Sequence, residues 1–192
     1  TNKVYFDLKI GQSKSERVVF GLYGHYAPEA CENFRTMCTG KFCTGSYCRE
    51  QGKRLHYKGT KFHKIFPEFM AIGGDFSKKN NFMKGKKVDR PQHLVQIDEP
   101  FTPKHDRKHL LSMPNTDPDP RFIDQLSQFV ITYGDKLDVL DTKHIVIGEV
   151  LEGAGTLDKM EKLVDQWSGN MTQDVFIHDS GEIREKIANI NK

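Results

Sequence analysis

Apolar and polar positions alternate at the start of the chain. Val4, Phe6, Leu8 and Ile10 are interleaved with Tyr5, Asp7 and Lys9, a period of two that predicts a half-buried strand. After the polar segment GQSKSE, Val18, Phe20 and Leu22 resume the alternation, so the first two strands are expected to form a hairpin. The period then lengthens. Beyond Pro28, which suits a first helical position, Ala30, Phe34, Met37 and Cys38 fall on one helical face, and Gly40 is the expected stop. Between Tyr57 and Phe76 two apolar runs, Phe62 to Phe66 and Phe69 to Ile72, are parted by Pro67 and bracketed by Gly59 and Gly73-Gly74. They predict two strands joined at a proline turn. Further strands are expected at Leu110 to Met113, Phe129 to Thr132, Ile145 to Val150 and Val175 to Ile177. A second helix is predicted from a Thr156 cap, with Leu157, Met160 and Val164 on its buried face.

About eight short strands with two helices and no βαβ alternation predict a mainly β fold, a closed eight-stranded antiparallel barrel with its ends covered by the helices. The 192 residues read as a single domain. Residues 41–56 are expected to be an inserted exposed loop, 77–108 a long irregular loop, and 183–192 a tail with its own short helical period. The prolines of the segment PNTDPDPR, 114–121, argue against regular structure there.

Net charge is only +3 with 29% charged residues, which gives no footprint for nucleic acid. The runs FVI and IVI are too short to span a membrane. Cys31, Cys38, Cys43 and Cys48 are crowded into one part of the chain, too local to staple a domain of this size, so a reduced, cytoplasmic setting is expected. Cys38, Cys43 and Cys48 are spaced C-x4-C-x4-C with His56 beyond. Plain loop thiols, a reversible Cys38–Cys43 or Cys43–Cys48 redox switch, and a zinc site all fit that pattern, the first best, and no metal is expected. His63 and His144 sit in or beside apolar strands, where satisfied structural histidines are commoner than catalysts. No nucleophile elbow, phosphate loop or dinucleotide fingerprint is present. Pattern alone reaches a β-barrel with a pocket.

The wording of the chain goes further. PEACENFRTMCTG at 28–40, YKGTKFHKIFPEFMAIGGDF at 57–76, DEPF at 98–101, LLSMPN at 110–115, SQFVIT at 127–132 and LDTKHIVIGEVLEG at 140–153 together resemble the cyclophilin family of peptidyl-prolyl isomerases, in the family's order. The 41–56 insertion is similar to that of divergent-loop cyclophilins. The cysteine that pairs with this loop in some relatives would fall near Ser180, so the resemblance implies that this disulfide is missing.

The resemblance implies isomerisation of X-Pro bonds in peptides or proteins, assisting folding, without a cofactor. Amide resonance sets a barrier of ~18–20 kcal/mol, and such a site lowers it by binding the twisted amide better than the planar one. Carried over by position, Lys64 stands where the family has its arginine and is the expected electrostatic donor, and Gln128 is the positioning glutamine. Phe69, Met70, Val130, Leu140 and His144 are expected to line the proline pocket, with Asn115 holding substrate backbone. Ile72 replaces a second glutamine, Val130 a phenylalanine, Thr116 an alanine and Val139 the rim tryptophan, and Trp167 does not take the tryptophan's place. These departures imply reduced activity and weak or no cyclosporin binding. The expected partner is a proline-containing peptide or protein, and the chain is expected to be a monomer. Two alternatives stand beside the enzyme: a non-catalytic proline-peptide module using the same groove, and a cysteine-gated redox sensor.

Overall fold

The computed structural model describes residues 2–41, 55–75, 103–114, 127–165 and 170–184. Eight strands and two helices lie within them: β1 Lys3–Ile10, β2 Glu16–Leu22, α1 Pro28–Cys38, β3 Lys64–Phe66, β4 Met70–Gly73, β5 Leu110–Pro114, β6 Phe129–Thr132, β7 His144–Glu152, α2 Ala154–Glu161 and β8 Val175–Ile183. Their spatial order is β3-β4-β6-β5-β7-β2-β1-β8, antiparallel throughout.

The expected closed barrel is corrected to a curled open sheet. β3 and β8 are its edges and share no ladder. The seam between them is spanned instead by the segment before β3, through a lone bridge from Lys61 to Phe176. Hydrogen bonds from Gly59 N–H to the Ile177 carbonyl (2.6 Å) and from Phe62 N–H to the Val175 carbonyl (3.0 Å) reinforce it. Thr60 turns its hydroxyl back to the Tyr57 carbonyl at 2.7 Å, so the chain bends here and cannot extend β3 into a full ladder.

Alternation sorts each strand into two faces. Val4, Phe6 and Leu8 with Val18 and Phe20 point inward, where Phe6, Phe20, Phe34, Tyr57, Phe62 and Phe129 form one buried cluster. Ring centroids there are 5.1–5.6 Å apart for Phe6 with Tyr57, Phe34 with Tyr57 and Phe62 with Phe129, mostly edge to face, the arrangement aromatic quadrupoles favour. α1 closes one end with Ala30, Cys31, Phe34, Met37 and Cys38 buried. α2 starts earlier than expected. Gly153, at φ 86°, is its N-cap, so Thr156 lies inside the helix and donates its hydroxyl to Glu16 on β2 at 2.7 Å. Val164 lies past the helix, bridged to Met171.

Two boundaries also move. Strand β8 runs on to Ile183, which therefore belongs to the sheet rather than to a helical tail, and residues 185–192 lie outside the described residues. The 41–56 loop is not exposed at its far end: Leu55 is buried and the His56 ring reaches the Cys38 carbonyl at 3.0 Å. Residues 103–108 carry no helix or strand, as expected of the irregular region, and 76–102 lie outside the described residues. No helix among the described residues is long and apolar enough to cross a membrane.

Candidate active site

The outward-facing residues of the central strands line up across the sheet. Register places Lys64 of β3 opposite Ile72 of β4, Ile72 opposite Val130 of β6, Val130 opposite Ser112 of β5, and Ser112 opposite Val146 of β7. Two residues along on the same face, Phe66 pairs with Met70 and Met70 with Thr132. Their neighbours Ile65, Ala71 and Ile131 face the core. Lys64, Met70, Ile72 and Val130, far apart in sequence, therefore share one surface. Lys64 is exposed and its Nζ lies 4.8 Å from the centre of the Phe66 ring, within cation–π range. A cleft of about 340 Å³ opens at this edge, bordered by Lys61, His63 and Lys64 of the β3 side and by Asn170, Met171 and Asp174.

Phe69 reaches this face on a tight turn. Phe66, Pro67, Glu68 and Phe69 close with Phe69 N–H donating to the Phe66 carbonyl at 3.1 Å. Proline at the second position and φ 59° at Glu68 are the marks of a type II turn. Its third position favours glycine, so glutamate there is strained. The Glu161 carboxylate of α2 accepts the Glu68 N–H at 2.6 Å, and Tyr133 N–H donates to the Phe69 carbonyl at 2.8 Å. Helix and sheet thus hold the turn from both sides.

Gln128 is placed by its neighbour. Buried Ser127 donates its hydroxyl to the Gly74 carbonyl at 2.6 Å, and its own carbonyl accepts from the Tyr57 hydroxyl at 2.8 Å. Gly74, at φ 83°, lies so close that a Cβ there would collide with the Ser127 carbonyl. Leu140 is buried and Val139 exposed on a short 3-10 turn, Asp138–Leu140. His144 opens β7 opposite Pro114. It is half-buried, and its Nδ1 is buried without a hydrogen-bond partner among the described residues. Burial, then the neighbouring His105 and Lys143, push its pKa down to about 4. At neutral pH it is an uncharged, largely apolar ring. Asn115 and Thr116, like Trp167, lie outside the described residues.

A sequence model of the family described as cyclophilin type peptidyl-prolyl cis-trans isomerase/CLD matches residues 5–182. The chain belongs to the cyclophilin family. The match takes in every described strand and both helices except the first two residues of β1 and the last of β8, and peptidyl-prolyl isomerisation is the activity membership implies.

Of the three cysteines considered for a redox switch in this cyclophilin, Cys38 lies within the described residues. Cys38 is fully buried, and burial pushes its thiol pKa well up, the reverse of the exposed, acidic thiol that oxidation requires. Cys31 is also buried, its thiol donating to the Ile147 carbonyl at 3.2 Å, while Cys43 and Cys48 lie outside the described residues. Ser180 sits beside the helix end and donates its hydroxyl to the Cys38 carbonyl at 2.9 Å, so hydroxyl and carbonyl meet where the resemblance looked for a disulfide partner. No cluster of three or more metal-binding side chains occurs among the described residues.

Sequence reasoning missed the supports of the candidate site. Glu161 and His105 lie outside the matching segments, and Ser112, Ser127 and Asp141 lie within them with nothing to mark them as supports. A weak signal existed for one of them: Pro67-Glu68 puts a residue with a Cβ where the turn prefers glycine.

Proposed function

We propose that this cyclophilin isomerises X-Pro bonds with Lys64 as its electrostatic donor. The observation that carries the reading is the row Lys64–Ile72–Val130, with Met70 on the same face and Phe69 on the adjoining turn. Met70, Phe69, Val130, Leu140 and neutral His144 supply apolar surface for the proline ring. Gln128 and Asn115 hold the flanking backbone. As the amide twists, resonance is lost and the prolyl nitrogen becomes a better acceptor, so an ammonium beside it stabilises the twisted state more than the planar one.

The rate is expected to be low. Lysine keeps the charge but not the planar fork of arginine, and its ammonium rests over Phe66. A charge-assisted bond is worth about 1.5–3 kcal/mol, a factor of about ten to a hundred in rate. Ile72 removes a polar contact, and Val130 removes an aromatic wall. In a coupled proline-isomerisation assay, Lys64→Ala should lower kcat/KM by about tenfold or more, and Lys64→Arg should raise it. Absence of any acceleration by the wild type at micromolar enzyme rejects the reading. It leaves the second one, a proline-peptide binding module on the same face, which the parked, exposed Lys64 ammonium favours and which peptide binding without turnover would identify.

A further inference from the structure

The turn that carries Val139 and Leu140 is tied to the rest of the molecule at both ends by one residue. The His105 carbonyl accepts the Leu137 N–H at 2.8 Å. At the other end Asp141 Oδ1 accepts both the His105 backbone N–H at 2.9 Å and His105 Nδ1–H at 2.7 Å. Within the turn, Leu140 N–H returns to the Leu137 carbonyl at 2.8 Å, so the segment is a closed loop of hydrogen bonds with His105 at its neck. His105 is buried at 1% exposure, and Asp141 is 22% exposed at its side chain. Burial works against the Asp141 charge, but the backbone and ring N–H groups of His105 outweigh it and hold the carboxyl below its ordinary range.

The third contact extends the tie to the sheet. His105 Nε2 lies 3.0 Å from Ser112 Oγ, and Ser112 belongs to the outward row beside Val130. A carboxylate can only accept, so a ring proton sits on Nδ1, and Nε2 is the nitrogen that meets the serine hydroxyl. The order aspartate, histidine, serine is that of a hydrolytic triad. Here Ser112 has no exposed surface, so no substrate reaches it and the same chemistry serves to fix positions.

We propose that His105 is a positioning residue for the substrate pocket: it clamps the Leu137–Asp141 turn against β5 and so sets how tightly the proline-containing substrate is held. This deepens the isomerase reading and rests on it, because Leu140 and Val139 matter only if they border the substrate. The clamp acts through its hydrogen bonds rather than through ring volume, and it acts on binding rather than on bond rotation.

The test combines steady-state isomerase kinetics with amide hydrogen exchange. His105→Leu, which fills space but donates nothing, should raise KM about tenfold with kcat within about twofold, and should speed exchange of the Leu137 amide. His105→Asn, smaller but still offering an N–H to Asp141, should restore KM to within about threefold of wild type. Asp141→Leu, which is close in size and removes the acceptor of both His105 bonds, should raise KM in the same direction and serves if His105→Leu does not fold. Unchanged KM in His105→Leu and Asp141→Leu overturns the proposal, as does equal damage from His105→Leu and His105→Asn, which would make volume the cause. Leu137 exchange that is unaffected by any of these variants removes the clamp itself. That arm needs no substrate, so a wild type without turnover, which ends the isomerase reading and the functional claim with it, is distinguished from failure of the clamp.

Discussion

Replacing Glu68 with glycine is expected to stabilise the protein, although it deletes a side chain and adds no contact. Glu68 holds φ 59° at the third position of the Phe66–Phe69 turn. For a residue with a Cβ, the left-handed region costs about 1–2 kcal/mol. Glycine relieves that cost but loosens the unfolded chain, which takes back about 0.4–1 kcal/mol. The bond from Glu161 goes to the Glu68 backbone N–H at 2.6 Å, so it survives the substitution. The net expectation is a gain of about 0.5–1 kcal/mol, or a rise in Tm of about 1–4 °C for a chain of this length. Urea unfolding followed by fluorescence or circular dichroism reads it as a higher midpoint at constant slope. A variant no more stable than wild type would refute the argument, because the strain would then not be carried by Glu68. The companion change, Glu161→Ala, removes the acceptor and should cost about 1 kcal/mol. A null result there would show that helix α2 does not hold the turn.

Three further outcomes are expected. Because His144 is held at about 4 against an ordinary 6.5, the unfolded chain takes up its proton first as the pH falls. Stability is therefore lost between pH 6.5 and 4, with a ceiling of about 3 kcal/mol that residual solvent access reduces to about 1–2. Urea unfolding of wild type and His144→Asn at about pH 7.5 and about pH 4.5 should show the gap shifting toward the variant on acidification, and a gap independent of pH contradicts it. Gly74→Ala forces a Cβ onto the Ser127 carbonyl at φ 83° and should destabilise by about 2–4 kcal/mol, read from the same urea midpoints. Val139 is 58% exposed, so an indole fits there without displacing neighbours, and Val139→Trp should tighten cyclosporin binding measured by calorimetry, whereas nanomolar binding by the wild type would overturn the expectation of weak affinity.

Most strands and both helices were legible in the sequence because each is a local periodicity. Val4, Phe6 and Leu8 alternate whatever lies opposite them, and Ala30, Phe34 and Met37 share a helical face by spacing alone. The order of motifs was enough to name the family and to mark Lys64, Phe69, Met70 and Gln128. Their partners were not legible, since pairing across strands depends on register and on contacts distant in sequence. Nothing local tells that Lys64, Ile72 and Val130 form one row, that the Glu161 carboxylate caps the turn at Glu68, or that His105 joins Asp141 to Ser112 across 36 and 7 positions. Nor does it tell that the sheet stays open at the β3–β8 seam, where the backbone turns at Thr60 and leaves a lone bridge. The sequence by itself determined which residues face outward and which chemistry they carry. Only the tertiary structure decided which of them meet and what holds them, because hydrogen bonds and charge pairs act over a few ångströms of space and leave no period along the chain.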